Sequence, residues 1–552
     1  MIRPYPFLAN HLLPTVSVPK VRSEVTWPSI PAMLRDTARR QGTAEAVVDG
    51  DRRVPYSELE AMVTQAARAL VASGLQPGER AAVWAPNSLE WIVAALAITT
   101  AGGVLVPVNT RFKGAEAAYV LSRSGAKVLF TVRGFLDTDY PALLAAAGVP
   151  LPALEHTVIL SGAVDDTTVA WSDFLKRGEA VPASVVDERV GALGPDDPSD
   201  VVFTSGTTGS PKGVVMAHGQ ALRAYLDWCD WADLRPGDHY LIVNPFFHIF
   251  GYKAGVLASL MRGATIYPVA VFDPATVLEI VEREDITVLP GAPTLYQSLL
   301  DEPTRKMRDI SSLRIAVTGA ADIPVELIRR VSEELPFERI RTGYGLTEAG
   351  TVTGSKPDDD FEHIAATVGV AWPGFDVRVV DGSNEPVAAG EPGEVCVRGE
   401  TVMRGYLDDP EATAAAFDAD GFLHTGDLGT IDADGYVRIV GRIKDMYIVG
   451  GFNAYPAEIE NLLLRHPRIS QAAVIGVPDA RLGEVGMAFV VVDGNGPPLD
   501  AAEVIAWSRD EMANFKVPRF VEFVDELPIN ATGKVMKDEL RARASATVDG
   551  GS

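Results

Sequence analysis

A short apolar stretch, Asp200-Val-Val-Phe203, runs directly into Thr204-Ser-Gly-Thr-Thr-Gly-Ser-Pro-Lys-Gly213. No other segment constrains the fold as tightly. The stretch reads as a buried strand, and the run after it has the chemistry of a phosphate-gripping loop. Thr204, Ser205, Thr207 and Thr208 supply hydroxyls, Gly206 and Gly209 let backbone N–H groups approach an anion, and Lys212 supplies charge. It is not a Walker A loop: counted from Gly206, Pro211 stands where the second glycine belongs and Gly213 where the magnesium-binding hydroxyl belongs. Taken alone, such a run could also be a Gly/Ser/Thr surface turn. The strand before it and the lysine inside it favour the anion loop.

Four further motifs come after it in order: Tyr344-Gly-Leu-Thr-Glu348, Thr425-Gly-Asp427, Gly441-Arg-Ile-Lys-Asp445 and Ala531-Thr-Gly-Lys534. In this order and spacing the set resembles the adenylate-forming superfamily of acyl-CoA synthetases, luciferases and peptide-synthetase adenylation domains. The resemblance runs from about residue 31 to 540. It implies ATP, Mg²⁺ and CoA as the small molecules handled, with cleavage between the α and β phosphates. Residues 204–209 and Lys212 would then hold the β and γ oxygens. Thr347 would donate to the α-phosphate, and Glu348 would hold Mg²⁺, a hard cation that prefers carboxylate and phosphate oxygens. Glu348 alone could equally be a solvated carboxylate at a helix start.

Gly319-Ala320-Ala321 would form a flat slot for adenine, continued by Thr342, Gly343 and Gly345 and covered by the Tyr344 ring. The family usually has proline after the small residues, whereas here Asp322 stands in that place. Two ribose hydroxyls match the two oxygens of Asp427, and Arg442 adds a contact to ribose or phosphate. Lys534 would neutralise charge between the substrate carboxylate and the α-phosphate, with Lys537 expected at the surface. Lys444 falls at the family's hinge, and Gly450, Gly451 and Phe452 would border the thiol channel.

The chain is long enough for more than one domain. Its formal charge of -25 argues against a nucleic-acid partner. Cys229 and Cys396 form no metal or disulfide pattern, which fits a reducing, cytoplasmic setting. Residues 91–108 carry no charge, but glycines and Pro107 break the run. A buried helix over 89–100, a turn and a strand over 104–108 fit better than a membrane span. Strand-like runs at 127–132, 201–203, 241–243, 286–289 and 314–318 alternate with helical segments, as parallel sheets require. After Gly369 short alternating strands at 377–380, 394–398 and 436–440 suggest an antiparallel or barrel-like subdomain. The expected fold class is therefore α/β plus a small α+β domain. Residues 1–25 form an arm, 26–441 a large domain with two parallel-type αβ subdomains and the barrel-like one, 442–445 a hinge, 446–546 a mobile α+β domain, and 547–552 a tail.

The acid is the least determined part. Asn244-Pro-Phe-Phe-His-Ile-Phe-Gly251 resembles the acyl-pocket entrance of carboxylate:CoA ligases, without the aspartate that pairs an amino-acid ammonium. His248 is a candidate gate or carboxylate-orienting residue, and Tyr252 and Lys253 are candidate readers of polar groups on the acid. Longer frames beginning at Phe250, Val288 and Lys444 resemble an actinobacterial subgroup whose best-known type joins CoA to the propanoate side chain of the bicyclic indanedione left after sterol rings A and B are degraded. Ligases for medium- or long-chain fatty acids or aryl acids stay open, as does an enzyme loading a separate carrier protein. A catalytically inactive nucleotide-binding regulator is the alternative from another class. A homodimer is compatible with the sequence; nucleic acid and a transmembrane anchor are not expected.

Overall fold

The computed structural model describes residues 22–204, 211–319, 325–450, 452–479, 481–492, 499–530 and 534–548. Most of the expected arm and tail lies outside them.

The helix Leu89–Thr100 shows how the sequence drives burial, for every residue except Glu90 is buried. Its first turn is closed by the Ser88 hydroxyl, which accepts the Trp91 N–H at 3.2 Å, and by Asp49, which accepts the Leu89 N–H at 2.8 Å. Gly102, at φ 82°, turns the chain into the buried strand Val104–Pro107. The uncharged run is thus a core helix, a turn and a core strand. No described helix is long and apolar enough to cross a membrane.

That strand lies inside a nine-stranded sheet. Its order is Gly405–Tyr406, Lys212–Ala217, Pro198–Thr204, Val104–Pro107, Arg80–Trp84, Val128–Phe135, His156–Ser161 and Val169–Ala170, with Thr138–Asp139 paired to one side. From Pro198–Thr204 through Val169–Ala170 the neighbours are parallel, whereas Lys212–Ala217 turns back antiparallel. Two four-stranded sheets, one containing His239–Ile242 and the other Ile315–Gly319, are bridged through Val288. The strand expected at 286–289 reduces to these single bridges, because Pro290 comes next and has no N–H to continue a ladder. Beyond Gly369, Phe375–Val380, Gly393–Gly399, Leu423–Ile431 and Val437–Arg442 form an antiparallel meander.

The C-terminal part has its own core around Tyr447, Ile459 and Phe489. Its sheet orders Phe452–Ala454, Tyr447–Val449, Gly483–Val492 and Ile469–Asp479, with Phe520–Phe523 parallel to Gly483–Val492. The α/β plus small α+β architecture therefore holds. Around Lys534 the chain makes a single Ile529–Val535 bridge and then enters the helix Lys537–Val548. Asp538 and Glu539 in its first turn suit the positive end of the helix dipole.

His218 starts the helix His218–Ala232 wholly buried, accepting the Ile30 N–H at Nδ1 over 3.3 Å. Burial pushes its imidazole from 6.5 down to about 4, against the opposing pull of Asp200. The folded form holds it neutral while the unfolded chain protonates it, so its stabilising contribution is complete above 6.5 and is lost as pH falls toward about 4. We expect the fall in apparent melting temperature between pH 7 and pH 5 to shrink by roughly 1–2 °C in His218→Asn. An unchanged difference would show that His218 is not the titrating group.

Candidate active site

The nucleotide side is built where two hairpins meet. Gly319 pairs with Gly343 on parallel strands, and a Cβ at Gly319 would lie 2.9 Å from the Gly343 oxygen. Cβ atoms at Gly343 and Gly345 would lie 2.8 Å and 2.6 Å from the carbonyls of Thr353 and Gly350. The glycines are thus demanded by the Arg339–Leu346 and Gly350–Gly354 hairpin itself, whatever they do for a ligand. Thr342 is buried beside Thr318, and neither hydroxyl finds a partner among the described residues.

Tyr344 donates its hydroxyl to Asp427 Oδ2 at 2.6 Å, and Arg442 Nε meets Asp427 Oδ1 at 2.8 Å. Burial and the adjacent Asp427 carboxylate raise the Tyr344 phenol well above its usual range, so it stays a donor. Asp427 and Arg442 face each other across paired strands. The Asp427 turn is held by the Glu394 carboxylate, which accepts the Gly426 N–H at 3.0 Å and lies 2.8 Å from His424 Nδ1. Thr425 closes it, donating its hydroxyl to the Val395 carbonyl at 2.7 Å. No local sequence pattern signals the Tyr344–Asp427 bond or the Glu394 support, because each joins residues far apart in the chain.

On the phosphate side, Thr204 and Lys212 pair directly across their antiparallel strands, at the mouth of the loop. Ser205, Gly206, Thr207, Thr208 and Gly209 lie outside the described residues, as do Ala320, Ala321 and Gly451. Lys212 Nζ stands 5.0 Å from the centre of the Tyr406 ring, and the Tyr406 hydroxyl donates to Glu348 Oε1 at 3.2 Å. Tyr406 therefore ties the loop lysine to the acidic residue, another link invisible in the sequence. Burial raises the Glu348 carboxyl above its usual range. A desolvated carboxylate of this kind fits a hard divalent cation, which supplies the compensating charge. Thr347, half-buried, precedes it in the turn.

His248 caps the short helix Ile249–Gly251, its Nδ1 accepting the Phe250 N–H at 3.2 Å. Burial, with a smaller push from the nearby Lys534 charge, lowers its imidazole to about 4, so it is neutral at ordinary pH. Lys534 is exposed, in a turn closed by Asn530, whose side chain accepts the Lys534 N–H at 2.9 Å. Arg111 reaches the Ile529 carbonyl of the same segment at 3.3 Å. The Lys534 charge is thus felt at the buried His248 ring, across the Arg111–Ile529 contact between the two parts of the chain.

Three expectations change. Lys253 does not reach a pocket: it is 1% exposed, with its ammonium on Asp200 at 2.7 Å. Tyr252 is equally buried, packed edge-on against Trp91. Both lie on the π-helical segment Tyr252–Leu257, whose wide turns a sequence pattern does not reveal. Lys537 is no loose surface residue, because it pairs with Glu460 at 2.7 Å. Lys444 is exposed in the 3₁₀ turn Ile443–Asp445 that comes after the meander. Gly450, at φ 56°, follows the strand Tyr447–Val449, and Phe452 begins the strand Phe452–Ala454 of the C-terminal sheet.

Residues 34–407 match the AMP-binding enzyme family and residues 458–534 its C-terminal domain. The chain belongs to the AMP-binding enzyme family. It is 51% identical to the 3-[(3aS,4S,7aS)-7a-methyl-1,5-dioxo-octahydro-1H-inden-4-yl]propanoyl:CoA ligase of Mycobacterium tuberculosis, over 93% of this chain and 98% of that one. A feruloyl-CoA synthase from Amycolatopsis is 38% identical over 92% of this chain and 97% of its own. Among solved structures, ATP-bound MatB from Rhodopseudomonas palustris superposes with a TM-score of 0.82 at 32% identity, covering 93% of this chain and 98% of that one. The apo form of the same MatB gives 0.73 at the same identity and coverage.

Proposed function

We propose that this enzyme is an ATP-dependent carboxylic acid:CoA ligase whose acid is the indanedione propanoate named in its M. tuberculosis relative. The observation that carries the reaction class is the Arg111–Ile529 contact, which holds the Lys534 segment against the part of the chain bearing His248, together with the Tyr344–Asp427–Arg442 cluster. An ammonium there sits between an acid entering past His248 and a nucleotide held at Asp427. The substrate carboxylate oxygen attacks the α-phosphorus, the bond to the β-phosphate oxygen breaks, and pyrophosphate leaves with acyl-AMP formed. In the second step the CoA sulfur adds to the acyl carbon, its proton is lost, and AMP leaves with the electron pair.

Each residue has a share in this scheme. Asp427, oriented by Tyr344 and Arg442, takes the ribose hydroxyls. Thr204 and Lys212, with residues 205–209, hold the β and γ phosphates, and Thr347 donates to the α-phosphate. Gly319 and the segment 342–345 enclose adenine, with Ala320 and Ala321. Neutral His248 orients the acid without competing for its charge. Glu348 holds Mg²⁺, which when bound offsets the negative charge of the triphosphate. The substrate reading is supported by the 51% identity extending across nearly all of both chains. A cytoplasmic setting goes with it.

The exposed turn at Lys444 is the proposed hinge, about which residues 446–546 rotate to bring Gly450, Gly451 and Phe452 to the thiol. Proline fixes φ and stiffens the turn. Lys444→Pro is expected to slow thioester formation ~10-fold or more while changing pyrophosphate release less than about 3-fold. Single-turnover assays of the two steps check this, and unchanged thioester formation would remove Lys444 from the mechanism.

A further inference from the structure

Asp200 and Lys253 form an ion pair sealed from solvent, with side chains 0% and 1% exposed and Nζ 2.7 Å from Oδ1. The second Asp200 oxygen, Oδ2, accepts the Ser199 hydroxyl at 2.7 Å. Neither residue belongs to the site described above, yet each lies on an element that leads into it. Asp200 is on Pro198–Thr204, the strand that delivers Thr204 to the phosphate loop. Lys253 is the second residue of the π-helix Tyr252–Leu257, which begins as the His248-capped turn ends. The Tyr252 N–H donates to the His248 carbonyl at 2.9 Å. Gly251 and Gly255 press this segment onto the chain before it. Their Cβ atoms would fall 2.2 Å from the Pro245 carbonyl and 2.9 Å from Ile242.

Two buried charges are expensive unless they stay in close register. The pair therefore resists any sliding of the acyl-gate segment relative to the phosphate-loop strand. A run of π-helix is rare and is frequently found at functional sites. Here it carries the lysine inward.

We propose that Asp200 and Lys253 are positioning residues that lock the His248 gate to the phosphate-loop strand, so that the acid and ATP bind more tightly together than apart. This rests on the ligase reading above. It goes beyond it by assigning the coupling to residues that touch neither substrate.

The test measures binding of the indanedione propanoate with and without α,β-methylene-ATP and Mg²⁺. In the wild type the nucleotide analogue is expected to tighten acid binding ~10-fold, within the usual range of coupling between sites. Asp200→Asn combined with Lys253→Met removes both charges, keeps volume and leaves an acceptor for Ser199, so the fold tolerates it better than either single change. That double variant is expected to lose the tightening, to within about 2-fold of none, while its acid affinity without nucleotide stays within about 3-fold of wild type. A merely structural pair would move the melting temperature and leave the coupling intact. If the double variant does not fold, Ser199→Ala, which keeps the ion pair but removes its support, should reduce the coupling about 2–3-fold, and Lys253→Arg should retain it.

Full coupling in a folded double variant, or in Ser199→Ala where only that variant folds, overturns the proposal, as does a wild type that binds both ligands independently. A wild type that binds no nucleotide overturns the ligase reading itself.

Discussion

Lys534→Ala is expected to lower acyl-AMP formation by at least ~10²-fold, the scale of losing a preorganised charge stabiliser, and to leave thioester formation from supplied acyl-AMP within about 3-fold. The asymmetry arises from where the lysine stands. In the arrangement seen here, its turn is fixed by Asn530 and reached by Arg111, and its charge acts on His248. On the proposed mechanism, that charge is needed while the acid carboxylate and the α-phosphate are being forced together. Once acyl-AMP exists that repulsion is gone, and the ammonium has little left to stabilise. Because Lys534 is exposed, its removal should not unfold the protein. Pyrophosphate release and AMP release, measured separately, read the two steps. Equal loss in both would remove Lys534 from its assigned role.

The second large effect is expected at Glu348. Glu348→Gln keeps an oxygen acceptor for the Tyr406 hydroxyl and nearly the same volume, so it tests charge alone. A half-enclosed carboxylate whose proton is favoured by burial gains most from a nearby cation. We expect adenylation to fall ~10²–10³-fold, with a higher Mg²⁺ concentration needed for half-maximal rate. Rates measured across Mg²⁺ concentrations at fixed ATP provide the check. A variant with the wild-type Mg²⁺ response would show that Glu348 is not the metal-binding residue.

The features legible in the sequence and those hidden from it divide along physical lines. The helix at 89–100 and the strand after it were legible because an uncharged run broken by Gly102 and Gly103 has few ways to bury itself. The order of the motifs likewise led to Thr204, Lys212, Tyr344, Asp427 and Lys534 as candidates, of which the structure pairs Thr204 with Lys212 and joins Tyr344 to Asp427. Hidden were the contacts that join distant segments: Tyr344 to Asp427, Tyr406 to Glu348, and Glu394 to Gly426. Lys253 misled for the same reason. Beside a proposed pocket a lysine suggests a ligand partner, and only the π-helical turn and the distant Asp200 show that it faces the core. Lys537 repeated the pattern, its partner Glu460 lying on another helix. Proximity in sequence served the motifs well and the side-chain networks poorly.

The central claim is tested most directly by measuring kcat/KM for AMP formation with ATP, Mg²⁺ and CoA across three acids: the indanedione propanoate, a medium straight-chain fatty acid and an aryl propanoate. The account predicts at least ~10-fold preference for the indanedione propanoate, with the matching CoA thioester formed in step with AMP. Preference for either other acid would contradict the substrate assignment, and AMP release without any thioester would contradict the ligase itself.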